Sequence, residues 1–362
     1  MLTMSRILTE WLKPDDPRWT EALASVPHDF FHLPDYVDAY AAMLDGEPLL
    51  LLLDAGGSGL AVPLVQRSLA PFGPAFADHH DVVSPYGYPG PLVWGADRPE
   101  QIAALHRELA VQLKRANVVS MFLRLHPFLG RPEATLAALG GEGGVRWHGP
   151  VVYLDLKDPE ASWHGINPAN RRVIRRLLES GHQVLFDRWE TLDQVLAAYA
   201  ETMERHSASG SYRFPRTFFT RLRQGTGPAL HLATSCTPGG EVTGGVFFTE
   251  VGGLIHYFLT GTFNVHRADS PNKLLIDALR RWGLKRGCHT LNLGGGLGAR
   301  EDSLHTFKTR FSRTTVPFYT LRRILLPEVY RSLSRDGGGD DGFFPAYRRA
   351  EAQAGAGAGA GD

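Results

Sequence analysis

"TLNLGGGLGAREDSLHTFKTRF" spans residues 290–311. An apolar run enters three glycines, Gly294, Gly295 and Gly296, and a phenylalanine-rich segment with one lysine, Lys308, follows. Read as Gly294-x-Gly296-x-x-Ala299, the cluster resembles the fingerprint in which glycines bring backbone amides against a pyrophosphate. That fingerprint belongs to the first turn of a βαβ unit, with an acid about 20 residues later on the ribose. Here it stands late in the chain, and residues 316–323 read "VPFYTLRR", with no acid. The dinucleotide reading fails. Glycines can simply supply φ > 0 for a turn after a strand. Three in succession, flanked by Asn292 and Ser303, point to a place where something approaches the main chain.

Composition narrows the classes. The 362 residues carry 38 Lys+Arg and 38 Asp+Glu, so bulk charge attracts neither nucleic acid nor membrane, although a local basic face remains open. Cys236 and Cys288 match no zinc or redox spacing and are expected as reduced thiols of a cytoplasmic protein. Glu10, Lys13 and Asp15 interrupt the first apolar stretch, which argues against a secretory signal. "PLLLLLDAGGSGLAVPLV", residues 48–65, is cut by Asp54 and a glycine turn, so it predicts a hairpin and not a membrane span. A soluble intracellular protein is expected.

Outward from the glycines, the chain reads as two similar halves. The first has two helices, the hairpin, the loop "DHHDVVSPYGYPGP", a helix over 98–117 and the strand "VVSMFLRL". The second has a helix at 168–180, the strand "HQVLFDRW", helices near 191–205 and 215–224, three strands, a helix at 271–286 and "TLNLGGG". This order predicts an α+β fold. The segments "SRDGGGDDG" and "AEAQAGAGAGAGD" are small and polar, so residues 334–362 are expected as a disordered low-complexity tail.

Longer stretches carry a resemblance. "HYFLTGTFN" followed by "SPNKLLIDALRRWGLKRGCHTLNLGGG" and "DSLHTFKTRF" is similar to the second domain of Fem-type (FemABX-like) peptidoglycan bridge-forming aminoacyltransferases, a group within the GNAT acyltransferase superfamily. "INPANRRVIRRLLESGHQV", "ETMERHSASGSYRFPRTFF" and "SPYGYPGPL" resemble further segments, and the likeness covers about residues 28–330. It implies two tandem GNAT-like domains, with mixed, mostly antiparallel sheets flanked by helices and a groove between them. The first would cover 1–155, completed by about 315–333, and the second 156–314. The implied activity moves an aminoacyl group from aminoacyl-tRNA to an amine of a UDP- or lipid-linked peptidoglycan precursor. Acyl-CoA is the alternative donor, and an inactive precursor-binding protein is a further alternative. No tightly bound cofactor, DNA partner or integral membrane segment is implied, though peripheral contact with the inner membrane face is compatible.

The chemistry can be assigned by residue. Aminolysis of an ester or thioester needs a neutral amine and stabilisation of the developing oxyanion. Lys308, between Phe307 and Phe311, is the catalytic candidate, because a partly desolvated ammonium acts strongly on developing charge. Its ordinary alternative is a surface lysine paired with an acid. Arg171, Arg172, Arg175 and Arg176 share a helix face suited to phosphate or simply to solvent. By resemblance, Arg205 grips the precursor diphosphate; a cation ending a helix is also favourable on its own. The substrate-binding set is completed by Asp81, Ser84, Tyr86, Tyr88, Tyr257, Gly261, Gly294, Gly295, Gly296, Ser303 and Phe311. His79, His80 and Asp81 do not make a metal site, since adjacent residues of a strand face opposite ways. The turn "GTFNVHRADSPN" lacks the glycine pair with which CoA-binding relatives cradle pyrophosphate, which favours an aminoacyl donor.

Overall fold

The first strand, β1 (Leu8–Leu12), is followed by α1 (Pro17–Ala24) and α2 (Pro34–Met43), each begun by a proline in its first turn. Next come the hairpin β2 (Glu47–Asp54) and β3 (Gly59–Ser68), β4 (His80–Val83), β5 (Leu92–Trp94), α3 (Pro99–Arg115), β6 (Val118–Arg124) and α4 (Pro132–Leu139). The computed structural model describes residues 7–130, 132–139, 144–205, 214–334 and 343–349. The chain divides into two units, 1–147 with 318–354, and 148–317 with 355–362.

In the first unit the strand order is β1-β2-β3-β4-β6, with β5 on β3. Neighbours run antiparallel except β4 and β6, which are parallel. The five-leucine run that imitates a membrane segment is explained by burial on both faces. Leu51 and Leu53 join Ile102, Leu105, Leu109 and Leu113 of α3, whereas Leu50 joins Trp19, Leu23 and Val37 of α1 and α2. Among the described residues, no helix is long and apolar enough to cross a membrane.

The second unit begins along β7 (Val145–Asp155) and continues with α5 (Pro159–His164), α6 (Pro168–Glu179), β8 (Gln183–Phe186), α7 (Leu192–Arg205) and α8 (Arg216–Thr226). The antiparallel meander β9 (Leu230–Cys236), β10 (Val242–Val251) and β11 (Leu254–Thr262) leads to α9 (Pro271–Lys285), β12 (Thr290–Gly294) and α10 (Ser303–Thr309). The strand order is β7-β12-β11-β10-β9-β8, and only β11 and β12 pair in parallel. Each unit therefore runs an antiparallel meander, a crossover helix and one parallel strand. The architecture is α+β, with this same order of elements in both units.

β13 (Thr315–Ile324) returns to the first unit, where Thr320 to Ile324 pair antiparallel with Arg124 to Ser120 of β6, and α11 (Pro327–Ser334) follows. The tail expectation needs correction. Residues 343–349 are built into the first unit: Tyr347 and Arg348 are buried, and both bond Asp81. Aromatic and cationic side chains supply the contacts that hold this segment. Residues 335–342 and 350–362 lie outside the described residues.

Candidate active site in the second unit

The site starts where the sheet divides. β11 and β12 pair only over Leu254–His256 and Thr290–Asn292. Beyond that point β11 stays with β10, whereas β12 ends at Gly294 against Val152 of β7. The register of β10 and β11 shifts at Phe247/Phe248, leaving Phe258 as an extra residue in β11. Such a bulge re-aims the backbone beside the opening.

The last parallel pair fixes the glycine turn. Asn292 and His256 are both buried, and Asn292 Nδ2 donates to His256 Nδ1 at 3.0 Å. The amide of Gly294 donates to Asn292 Oδ1 at 2.8 Å. Gly294 itself has φ +76°, where a Cβ costs about 1–2 kcal/mol. Downstream, Asp302 winds the loop around its carboxylate: Oδ2 accepts from Leu297 N and Oδ1 from His305 N, both at 2.9 Å, the latter capping α10. A Cβ on Gly296 would collide with Arg300 O and Asp302 Oδ1.

Lys308 lies on α10, only 8% exposed, and its Nζ donates to the Gly295 carbonyl at 2.6 Å. Burial brings its pKa down to about 8, opposed by the attraction of Asp302. Phe307 and Phe311 meet edge to face at 5.4 Å on the apolar side, with Phe311 in the core. The ammonium is thus partly desolvated and lies against glycine backbone at the divided sheet.

Other candidates in this unit lie elsewhere. Tyr257 OH donates to Thr260 Oγ1 at 3.0 Å, and burial raises its pKa, so it stays a neutral phenol. Arg205 donates to Asn264 Oδ1 at 2.5 Å and to Thr202 Oγ1 at 3.1 Å, while the Asn264 amide donates to Glu201. Ser303 is exposed in the first turn of α10, whose cap is Asp302. Arg171 lies over the Trp163 ring at 5.9 Å. Gly261 is corrected to a packing position: its Cβ would strike the backbone of Tyr199, so it seats α7 on the sheet.

In the first unit, Asp81 and Ser84 are also corrected. Asp81 is 1% exposed and accepts from Arg67 at 2.8 Å, Arg348 at 2.7 Å and Tyr347 at 3.1 Å, which occupies its carboxylate. Ser84 is buried and its Oγ accepts the Arg124 amide at 2.9 Å. Tyr86 accepts from Tyr36 OH through its carbonyl at 2.6 Å, and Tyr88 packs edge-on to Phe318 at 5.2 Å. A buried network secures this loop: Asp29 contacts His32 and His126 at 2.7 Å each, and His32 Nε2 meets Gly90 O at 3.1 Å. Sequence reading noted Asn292 beside the glycines but missed Asp302 and His256; the Asp-Ser start of α10 was a usable capping signal.

The comparisons follow this division. The family model for the acetyltransferase (GNAT) domain matches residues 169–303. No curated protein matches the chain. Among solved structures, the chain is similar to FemX, with a TM-score of 0.65, 13% identity and coverage of 89% of this chain and 99% of that one. It is also similar to the C-terminal domain of a candidate lysylphosphatidylglycerol synthetase from Agrobacterium fabrum, at 0.54, 13%, 86% and 94%. L-PGS from Bacillus licheniformis gives 0.53, 14%, 85% and 91%. The second unit therefore contains a match to the acetyltransferase (GNAT) domain, and the chain as a whole shares its fold with FemX.

Proposed function

We propose that this acyltransferase moves an aminoacyl group from aminoacyl-tRNA to an amine on the stem peptide of a peptidoglycan precursor. The observation that carries the reading is Lys308, buried with its Nζ on the Gly295 carbonyl where β11 and β12 part. A neutral amine attacks the ester carbonyl, forming the C–N bond. The tetrahedral oxyanion then collapses, the C–O bond to the ribose breaks, and the amine proton leaves with the ribose oxygen. Lys308 serves as the charged donor to that oxyanion, an interaction stronger in the transition state than in the ground state. The glycines keep side chains away from the approaching carbonyl.

One feature favours an aminoacyl carrier over CoA. The segment between β11 and α9 is a side-chain-bearing 3-10 turn, Asn264–Asp269, followed by Ser270 at φ +58°. It offers no glycine pair for a pyrophosphate. Arg205 at the end of α7, with Arg267 nearby, is proposed to meet the precursor's diphosphate. The test is a donor panel: charged tRNAs and acetyl-CoA are each incubated with the protein and precursor peptides. A mass gain only with charged tRNA supports the reading, a gain only with acetyl-CoA replaces the donor, and no gain with any donor leaves a binding protein.

A further inference from the structure

A cleft of about 730 Å³ lies within the second unit, between the start of α6 and the turn after α10. Arg171, Arg310 and Arg313 line it, with Asn167 capping α6. Two acids also line it, but Asp155 accepts the Lys157 amide and Asp158 caps α5. From this cleft a line of cations follows α6. Arg171, Arg172, Arg175 and Arg176 share one face, and Arg176 and Arg310 both press electrostatically on Lys273 at the start of α9. Among the described residues, none of these six forms an ion pair. Arg171 and Arg175 lie over the Trp163 ring at 5.9 and 5.6 Å, which leaves their charge without a counter-ion, whereas Arg280 and Arg281 both pair with Asp277 at 2.9 Å.

The placement also opposes helix stability. Neither α6 nor α9 has an acid in its first turn, while Arg171, Arg172 and Lys273 stand near their positive ends. Cations there are unfavourable to the helix dipole, and the charge of Lys273 is further disfavoured by burial. An anionic ligand relieves both costs. Its length can be bounded. The 12 residues of α6 span about 18 Å at 1.5 Å per residue. A diphosphate meets only one end of such a stripe. A nucleic-acid strand, with a phosphate about every 3.4 Å along a helical axis, meets it throughout.

We infer that the α6 arginines, continued by Arg310 and Lys273, form a track for the phosphodiester backbone of an RNA strand, leading into the cleft beside Arg171. The inference rests on the aminoacyl-tRNA reading and names the surface that holds the donor. Recognition is by charge, so it is independent of base sequence and strongly dependent on salt.

The test measures fluorescence anisotropy of a short labelled single-stranded RNA against salt, for the wild type and for Arg172→Ala/Arg175→Ala/Arg176→Ala. These three side chains are exposed, and an unchanged melting temperature controls for folding. The variant is expected to bind at least about tenfold more weakly, with a log–log salt slope smaller by about 2, at roughly 0.7 per lost contact. CoA and UDP should fail to displace the RNA. Unchanged affinity and slope in the variant overturn the track while transfer from charged tRNA still stands. Wild-type protein that ignores RNA but transfers from acyl-CoA overturns the donor reading as well. Loss of binding to phosphatidylglycerol vesicles in the variant, with RNA binding intact, assigns the stripe to a membrane surface and also overturns the track.

Discussion

Lys308 Nζ reaches back to the carbonyl of Gly295, 13 residues earlier, and closes the glycine loop at 2.6 Å. The loop is held at three places, by Asn292 at its entry, by Asp302 at its exit and by Lys308 across its middle. Catalytic candidate and glycine turn are therefore one mechanical unit.

Replacing the ammonium with an apolar chain should stabilise the fold. Burial depresses the Lys308 pKa to about 8, against the ordinary 10.5. Between those values the unfolded chain binds the extra proton, so the native penalty is full below pH 8 and fades as pH rises to 10.5. Lys308→Met is expected to melt higher than wild type at pH 7, by on the order of 3 kcal/mol, with the gap closing toward pH 10. Denaturant titrations at the two pH values check this, and a gap that widens with pH refutes it.

Gly296→Ala should damage transfer more than folding. The added Cβ meets Arg300 O and the Asp302 carboxylate, so the exit of the loop must shift. Turnover is expected to fall at least about tenfold, on the scale of a misplaced catalytic group, with a melting point close to wild type. Comparing kcat with thermal unfolding decides it; equal kcat removes the glycine turn from the mechanism.

Asp302→Asn removes the charge that helps keep Lys308 protonated. The alkaline limb of the transfer rate should move to lower pH. The asparagine oxygen can still cap α10 at His305, so only the second oxygen's contact with the Leu297 amide is lost, at about 1 kcal/mol of stability. A pH–rate profile with an unmoved limb would show that Asp302 does not act on Lys308.

In the first unit, Asp81→Ala strands Arg67 and Arg348 without their shared carboxylate. Breaking a buried pair costs about 3–5 kcal/mol, so the melting point should drop and residues 343–349 should become cleavable. Limited proteolysis read by mass spectrometry is the check, with an uncut segment at wild-type stability as the contrary result.

Local patterns made much of the fold legible. The hairpin of β2 and β3 shows in its glycine turn, and α9 with β12 in a periodic helix running into an apolar strand. α10 was not read, because its seven residues are too few for periodicity and its start depends on a side-chain cap. The Asn292–His256 contact was invisible because it joins residues 36 apart through the parallel register of β11 and β12. Asp81 looked like a site residue for the same reason: its partner Arg348 lies 267 positions away, within a stretch whose polar flanks read as disordered. Gly261 shows the converse, since a glycine that admits a helix and one that admits a ligand are identical in sequence.

The central claim is that the Lys308 ammonium stabilises the transition state of acyl transfer. Its most direct test is the single-turnover rate of aminoacyl transfer against pH, in wild type and Lys308→Met. The wild-type rate should fall as pH rises through about 8, where the buried ammonium loses its proton. The variant should be slower by about 10²-fold or more near neutral pH, with that limb absent. A wild-type rate that rises through pH 8, or a Lys308→Met protein with full activity, would contradict the account.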